Sequence, residues 1–243
     1  MGRIRKFFDK YFCSPPRCIF CGDEKCTADF PVCKSCYENY KARSSEGCAD
    51  CGAAPIDCNC VSVRHCAQYY RLFNYEHRSV CLMIIKLKRK INRFAFRFFA
   101  SRLVAMIEAK TLGTLSFDCV TFVPRDIKGR RLHGFDQGEE LAKCIGKLLG
   151  VPAVSFLLNN GQGGEQKRLS RNFRGIAAMA RFEVNGKKLV GGKIPYKKVL
   201  LVDDIVTTGA SMGECARILK DHGVKLVIGA SVAHTPVRGR TVF

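Results

Sequence analysis

The sequence predicts an α/β domain built on a parallel sheet, with a small cysteine-rich zinc module ahead of it. Three observations carry that expectation. From Tyr69 onward, short apolar runs alternate with stretches of helical periodicity, the pattern of strands joined by crossover helices. Ten of the 15 cysteines fall before residue 61, where aliphatic residues are scarce. A chain of 243 residues with 47% apolar content can hold one sizeable domain plus an appendage.

Three regions follow in order. In residues 1–17, Ile4, Phe7, Phe8, Tyr11 and Phe12 keep helical spacing with Arg3, Arg5, Lys6 and Lys10 between them, and Ser14-Pro15-Pro16 ends the pattern. Such a basic amphipathic segment either packs on its own protein or lies on a membrane surface. Residues 18–66 form the cysteine module, in which metal substitutes for a core. Residues 67–243 form the α/β domain. Within it Arg71–Tyr75 reads as a strand, Arg78 to about Lys110 as one or two helices, and Phe117–Val123 as a buried strand. Asp136–Leu149 reads as a helix closed by Gly150-Val151-Pro152, and Val199–Val202 as an apolar strand. Ser211–His222 is a further helix with Gly223 past its end, and Leu226–Ala233 the last strand. Asn159–Arg174, glycine-rich and basic, reads as a long loop.

The cysteines are grouped as metal ligands. Cys18-x2-Cys21 and Cys33-x2-Cys36 make one pair of hairpins, Cys48-x2-Cys51 and Cys58-x-Cys60 a second. A tetrahedral Zn²⁺ takes four soft ligands, and two short cysteine hairpins deliver two thiolates each. Two structural zinc ions are expected, because a catalytic zinc keeps an open position. In the second set, His65 or Cys66 could replace one member, and Cys26 is left over.

The segment Val199–Ser211 (VLLVDDIVTTGAS) carries the chemistry. A buried strand ends in Asp203 and Asp204, which point to opposite sides of the chain. Carboxylates accept hydrogen bonds from ribose hydroxyls and can hold Mg²⁺ with its waters. Thr207, Thr208, Gly209, Ala210 and Ser211 then open a helix, whose free N–H groups suit a phosphate. Ser211-x-x-Glu214 has the form of a capping box and predicts the helix start.

These thirteen residues resemble the signature of type I phosphoribosyltransferases. The resemblance implies that Asp203 and Asp204 hold the ribose of phosphoribosyl pyrophosphate, with Mg²⁺, and that Thr207–Ser211 cradle its 5′-phosphate. A narrower resemblance, to the ComF/ComFC group associated with bacterial DNA uptake, spans nearly the whole chain. It rests on the cysteine module, on Phe73-x-Tyr75-Glu76 with Ile85-Lys86, on Val123-Pro124, on Gly134-Phe135-Asp136-Gln137, and on Gln166-x-x-Leu169 before Arg174. His133, Asp136 and Ala177 depart from the group's Arg, Asn and Asn. The resemblance implies a pyrophosphate loop at Pro124, Arg125, Lys128, Arg130 and Arg131. It also implies a lid over Asn159–Arg174 that includes Gln166 and Arg174.

A net charge of +20, or about +16 once eight thiolates hold two zinc ions, favours polyanionic partners. Lys86, Lys88, Arg89, Lys90, Arg93 and Arg97 fall in one expected helix with Phe94, Phe96, Phe98 and Phe99 between them. That helix either contacts single-stranded DNA, with aromatics stacking on bases, or buries its phenylalanines under a solvated basic face. No apolar run approaches the roughly 18 residues of a membrane span. The N-terminus lacks a signal peptide's uncharged core. A cytoplasmic protein is expected, peripheral at the inner face of the membrane if the first segment binds lipid.

Three functions are compatible with these features. The first is a phosphoribosyl pyrophosphate-binding accessory to DNA uptake, which by resemblance implies single-stranded DNA and DNA-uptake helicase or channel proteins as partners. The second is an active phosphoribosyltransferase, a pentosyl transferase that releases pyrophosphate when a nitrogenous base attacks the anomeric carbon. The third is a regulator that senses the ligand without turning it over.

Overall fold

The computed structural model describes residues 16–44, 63–74, 92–126, 134–161 and 181–235. Several expected features therefore lie outside the described residues: nearly all of the N-terminal segment, the set Cys48, Cys51, Cys58 and Cys60, and Lys86–Lys90. So do His133 and Lys128, Arg130 and Arg131 of the turn, and Gln166, Arg174 and Ala177 of the lid.

Four strands form one parallel sheet in the order β1 (Gln68–Asn74), β6 (Leu226–His234), β5 (Lys198–Val206), β2 (Cys119–Phe122). The central strands are apolar on both faces, as a parallel sheet covered on each side demands. Alternate residues feed two cores. Leu200, Val202, Val120, Phe122, Ile228 and Ala230 pack with helices α2 (Arg93–Thr111) and α3 (Gln137–Leu149). Val199, Leu201, Cys119 and Val227 pack on the other face against helix α4 (Ala210–Asp221). Helices on both faces make the sheet doubly wound, as the alternating pattern predicts.

Local chemistry sets the helix ends. The Asn92 side chain accepts the Ala95 N–H at 3.1 Å and caps α2. The single helix expected across Lys86–Phe99 is thereby corrected, because Asn92 is extended and α2 begins at Arg93. Phe96, Phe98 and Phe99 are buried, so these rings belong to the core and are not platforms for bases. Asp136 caps α3, and Gly150 closes it in the left-handed conformation.

Ahead of the sheet, α1 (Lys34–Ser44) follows the first cysteine pair. The cysteine region does not depend on metal alone. Ile19, Val32 and Tyr40 are buried in the same core as α2, and the Tyr40 ring meets Phe73 and Phe98 with centroids 5.3 and 5.4 Å apart. An antiparallel pair, β3 (Leu157–Asn159) with β4 (Phe182–Val184), stands apart from the main sheet. Among the described residues no helix is long and apolar enough to cross a membrane.

Candidate functional site

The acidic pair sits inside β5 and not beyond it. Pairing with β6 continues through Asp203↔Ser231 to Val206↔His234, four residues past the apolar run that marks the strand in sequence. Chain direction switches here: β2 leads into α3 on one face, while its neighbour β5 leads into α4 on the other. In open α/β sheets that divergence leaves a crevice at the carboxyl ends of the strands. The crevice has a volume of about 160 Å³ and is lined by Asp203, Asp204, Arg125, Asp136, Gln137 and Ser211, among others.

Each wall is fixed by a local hydrogen bond. The Asp203 carboxylate accepts the Asp204 N–H at 2.8 Å, and the Asp204 carboxylate accepts the Ile205 N–H at 2.8 Å. Asp136 Oδ1 takes the N–H groups of Gly138 and Glu139 at 3.0 and 3.3 Å, which caps α3. Its other oxygen takes the Arg125 N–H at 2.8 Å and so ties the turn after β2 to that helix. The buried Asn159 side chain donates to the Pro124 carbonyl at 2.9 Å and accepts from Arg181 Nε at 3.2 Å. Arg181 also faces Asp126 at 3.7 Å.

Burial, then the adjacent Asp204 carboxylate, hold Asp203 well above the usual carboxylate range. A cation between the two would reverse that preference, and adjacent carboxylates are hard oxygen donors that suit Mg²⁺. Arg125 Nη1 and the Gln137 amide nitrogen are buried with no hydrogen-bond partner among the described residues. Both are donors lining the crevice, and both fit an anionic ligand.

The phosphate-loop expectation needs one correction. Ser211 does not cap α4, and Glu214 does not close a box. The N-cap is Gly209, left-handed at φ 76°, with no side-chain cap. The buried Glu214 instead holds the half-exposed Arg217 at 2.6 Å, an i,i+3 ion pair. Thr208 Oγ1 accepts the Ala210 N–H at 3.4 Å, and the rest of the N-terminus of α4 is presented to whatever occupies the loop. Thr207 and Thr208 are exposed around it, and Ser211 reaches the crevice.

The first cysteine set closes as expected. The sulfurs of Cys18, Cys21, Cys33 and Cys36 lie within 4.8 Å of one another, with Cys21 and Cys33 3.9 Å apart. Four thiolates around a tetrahedral Zn²⁺ stand about 3.8 Å apart, given Zn–S bonds of about 2.3 Å. The residues fit the ion. Burial raises the Cys18 thiol, but N–H donors from Cys33, Cys21 and Phe20 prevail and bring it down to about 6. Such an anchored thiolate favours metal capture. Cys66, the alternative ligand for the second set, lies against Gly229 of β6, and burial pushes its thiol up to about 12.

The structure therefore brings Asp203, Asp204, Pro124, Arg125 and Ser211 to one crevice, beside Gly209 and Ala210 at the mouth of α4. Arg181 and Asn159 were not foreseen as parts of it. Asn159 reads in the sequence as the start of a loop, and β4, the strand that follows Arg181, is too short to show periodicity.

Residues 155–241 match the phosphoribosyl transferase domain family, so the parallel α/β fold is of the phosphoribosyltransferase type. The chain is 25% identical to competence protein F of Haemophilus influenzae over 86% of its own length and 93% of that protein. It is 25% identical to competence protein ComFC of Bacillus subtilis over 80% of each chain. Over most of its length the chain is therefore similar to these two competence proteins, as the narrower resemblance implies. An orotate phosphoribosyltransferase of Helicobacter acinonychis is 37% identical over 45% of this chain and 42% of that enzyme.

Proposed function

We propose that the protein binds phosphoribosyl pyrophosphate with Mg²⁺ in the crevice between β2 and β5, as an accessory to DNA uptake that acts on single-stranded DNA. One observation carries the ligand: a carboxylate pair, a helix N-terminus whose N-cap is glycine, and two buried donors without partners among the described residues face the same small space. In this reading Asp203 and Asp204 hold the ribose hydroxyls and the hydrated cation. Thr207, Thr208, Gly209, Ala210 and Ser211 take the 5′-phosphate at the mouth of α4, where N–H groups and the helix dipole favour an anion. Pro124 and Arg125 orient the pyrophosphate, joined by Lys128, Arg130 and Arg131. Arg181 adds a positive charge to the wall opposite the acids. Mg²⁺ would neutralise part of the pyrophosphate charge and let Asp203 ionise.

The DNA-uptake role rests on the names of the two competence relatives and on the net charge of +20. Lys86, Lys88, Arg89, Lys90 and Arg93 are the assigned DNA contacts, through phosphates and not by base stacking.

A second reading, an active transferase, is favoured by the local likeness to an orotate phosphoribosyltransferase. In that reaction a base nitrogen bonds to the anomeric carbon as the C–O bond to pyrophosphate breaks, and the lid with Gln166 and Arg174 excludes water. One experiment separates the two. Pyrophosphate release from phosphoribosyl pyrophosphate is followed across a panel of bases, beside single-stranded DNA binding at two salt concentrations. No release, with DNA binding that weakens at the higher salt, supports the accessory role. Turnover with one base supports the transferase.

A further inference from the structure

The chain enters the α/β domain across the phosphate loop itself. Gly209 and Gly213 lie one turn apart on the same side of α4's first turn. A methyl group on Gly209 would stand 3.3 Å from Val63 Cγ2, and one on Gly213 would stand 3.2 Å from the Arg64 carbonyl. Val63 is 3% exposed. Its turn is anchored from behind, with the Cys66 N–H donating to the Val63 carbonyl at 3.1 Å and the Ala67 N–H to Val227 of β6 at 2.8 Å. The Cys66 sulfur sits against Gly229 on the same strand. Val63 is therefore a fixed apolar surface pressed on the one left-handed residue of the loop.

We propose that Val63 is a positioning residue for the 5′-phosphate site, holding Gly209 so that the first N–H groups of α4 converge on the ligand. The proposal rests on the reading of that loop as the phosphate cradle. Gly209 has no side chain of its own to restrain it, and the contact the loop itself makes to the helix start is a long one, the Ala210 N–H donating to Thr208 Oγ1 at 3.4 Å. Glycine explores more backbone conformations than any other residue, so a loop hinged on it needs an outside contact to stay ordered. Val63 supplies that contact, and Gly213 is small because the Arg64 backbone must approach closely.

The test uses the full chain and three probes: phosphoribosyl pyrophosphate, ribose 5-phosphate and pyrophosphate, each with Mg²⁺, by calorimetry. Val63→Ala is expected to weaken the first two about tenfold, equivalent to about 1.4 kcal/mol, and to leave pyrophosphate unchanged. Val63→Ile is expected to restore affinity. Gly213→Ala serves as a second variant. Alanine favours the helix yet pushes on Arg64, so thermal stability holds or rises while ribose 5-phosphate affinity falls. Equal weakening of all three probes in Val63→Ala, or no change in any, would overturn this proposal alone. Failure of the unsubstituted chain to bind any probe would overturn the reading of the crevice and this proposal with it.

Discussion

Asp136 offers the sharpest test of how the crevice is held together, because it stands where the resembling group carries asparagine. Its carboxylate is 3% exposed and divides its work: one oxygen caps α3 through Gly138 and Glu139, the other takes the Arg125 N–H of the turn after β2. Asparagine has one oxygen. If Asp136→Asn keeps the cap, its NH₂ faces the Arg125 N–H, and a buried bond to a charged acceptor becomes a donor–donor contact. Losing such a bond costs about 2 kcal/mol. Alanine forfeits the cap as well, for a total of about 3 kcal/mol. At about 2–4 °C per kcal/mol for a chain of this size, Asp136→Asn lowers the melting temperature by roughly 4–8 °C, and Asp136→Ala by more. The assay is thermal unfolding of both variants by circular dichroism, with pyrophosphate titrated calorimetrically. Pyrophosphate affinity falls in both, because the turn has lost its tie. An Asp136→Asn protein as stable as the unsubstituted chain would refute the reasoning, since the second oxygen would then do nothing.

Further outcomes follow from other parts of the molecule. Replacing both Asp203 and Asp204 by Asn abolishes phosphoribosyl pyrophosphate binding by calorimetry while the fold persists. Because burial raises the folded pKa of Asp203, its penalty is absent below the unfolded value of about 4. The penalty grows as pH climbs through the folded value, so in Mg²⁺-free buffer Asp203→Asn is more stable than the parent at pH 7. A flat difference between the two across pH 4–8 in urea titrations would contradict this. Elemental analysis finds about two zinc ions per chain, and Cys18→Ser removes one of them. Phe99→Ala, which empties a fully buried site between Phe20 and Phe73, costs about 3–5 kcal/mol by urea unfolding.

How much of this was legible in the sequence differs from element to element. The β5–loop–α4 unit could be read because hydrophobic period and turn chemistry change together at Asp203. The length of β5 could not, since Asp203 and Asp204 are poor strand formers that only the pairing with β6 holds in the ladder. The helix start was misplaced because Ser211 and Glu214 fit a local pattern, while Gly209 and the packing of Val63 decided the cap. In α2, alternating basic and aromatic residues allowed two readings, and the burial of Phe96, Phe98 and Phe99 assigns these rings to the core. The short pair β3–β4 left no trace: three residues a side show no period, and the Asn159 contact to Pro124 joins positions 35 apart.

The order of strands also governs when the molecule can come into being. Among the described residues β1 is the first strand of the sheet in sequence, but its neighbour is the last, and the Tyr69–Ser231 hydrogen bond closes a span of 162 residues. Until β6 has left the ribosome, β1 lacks its partner in the sheet and the acidic strand lacks one of its two flanking strands. The crevice is thus a late product of synthesis, and a chain cut short before Leu226 would retain its cysteines and its acids without the ladder that brings them to bear.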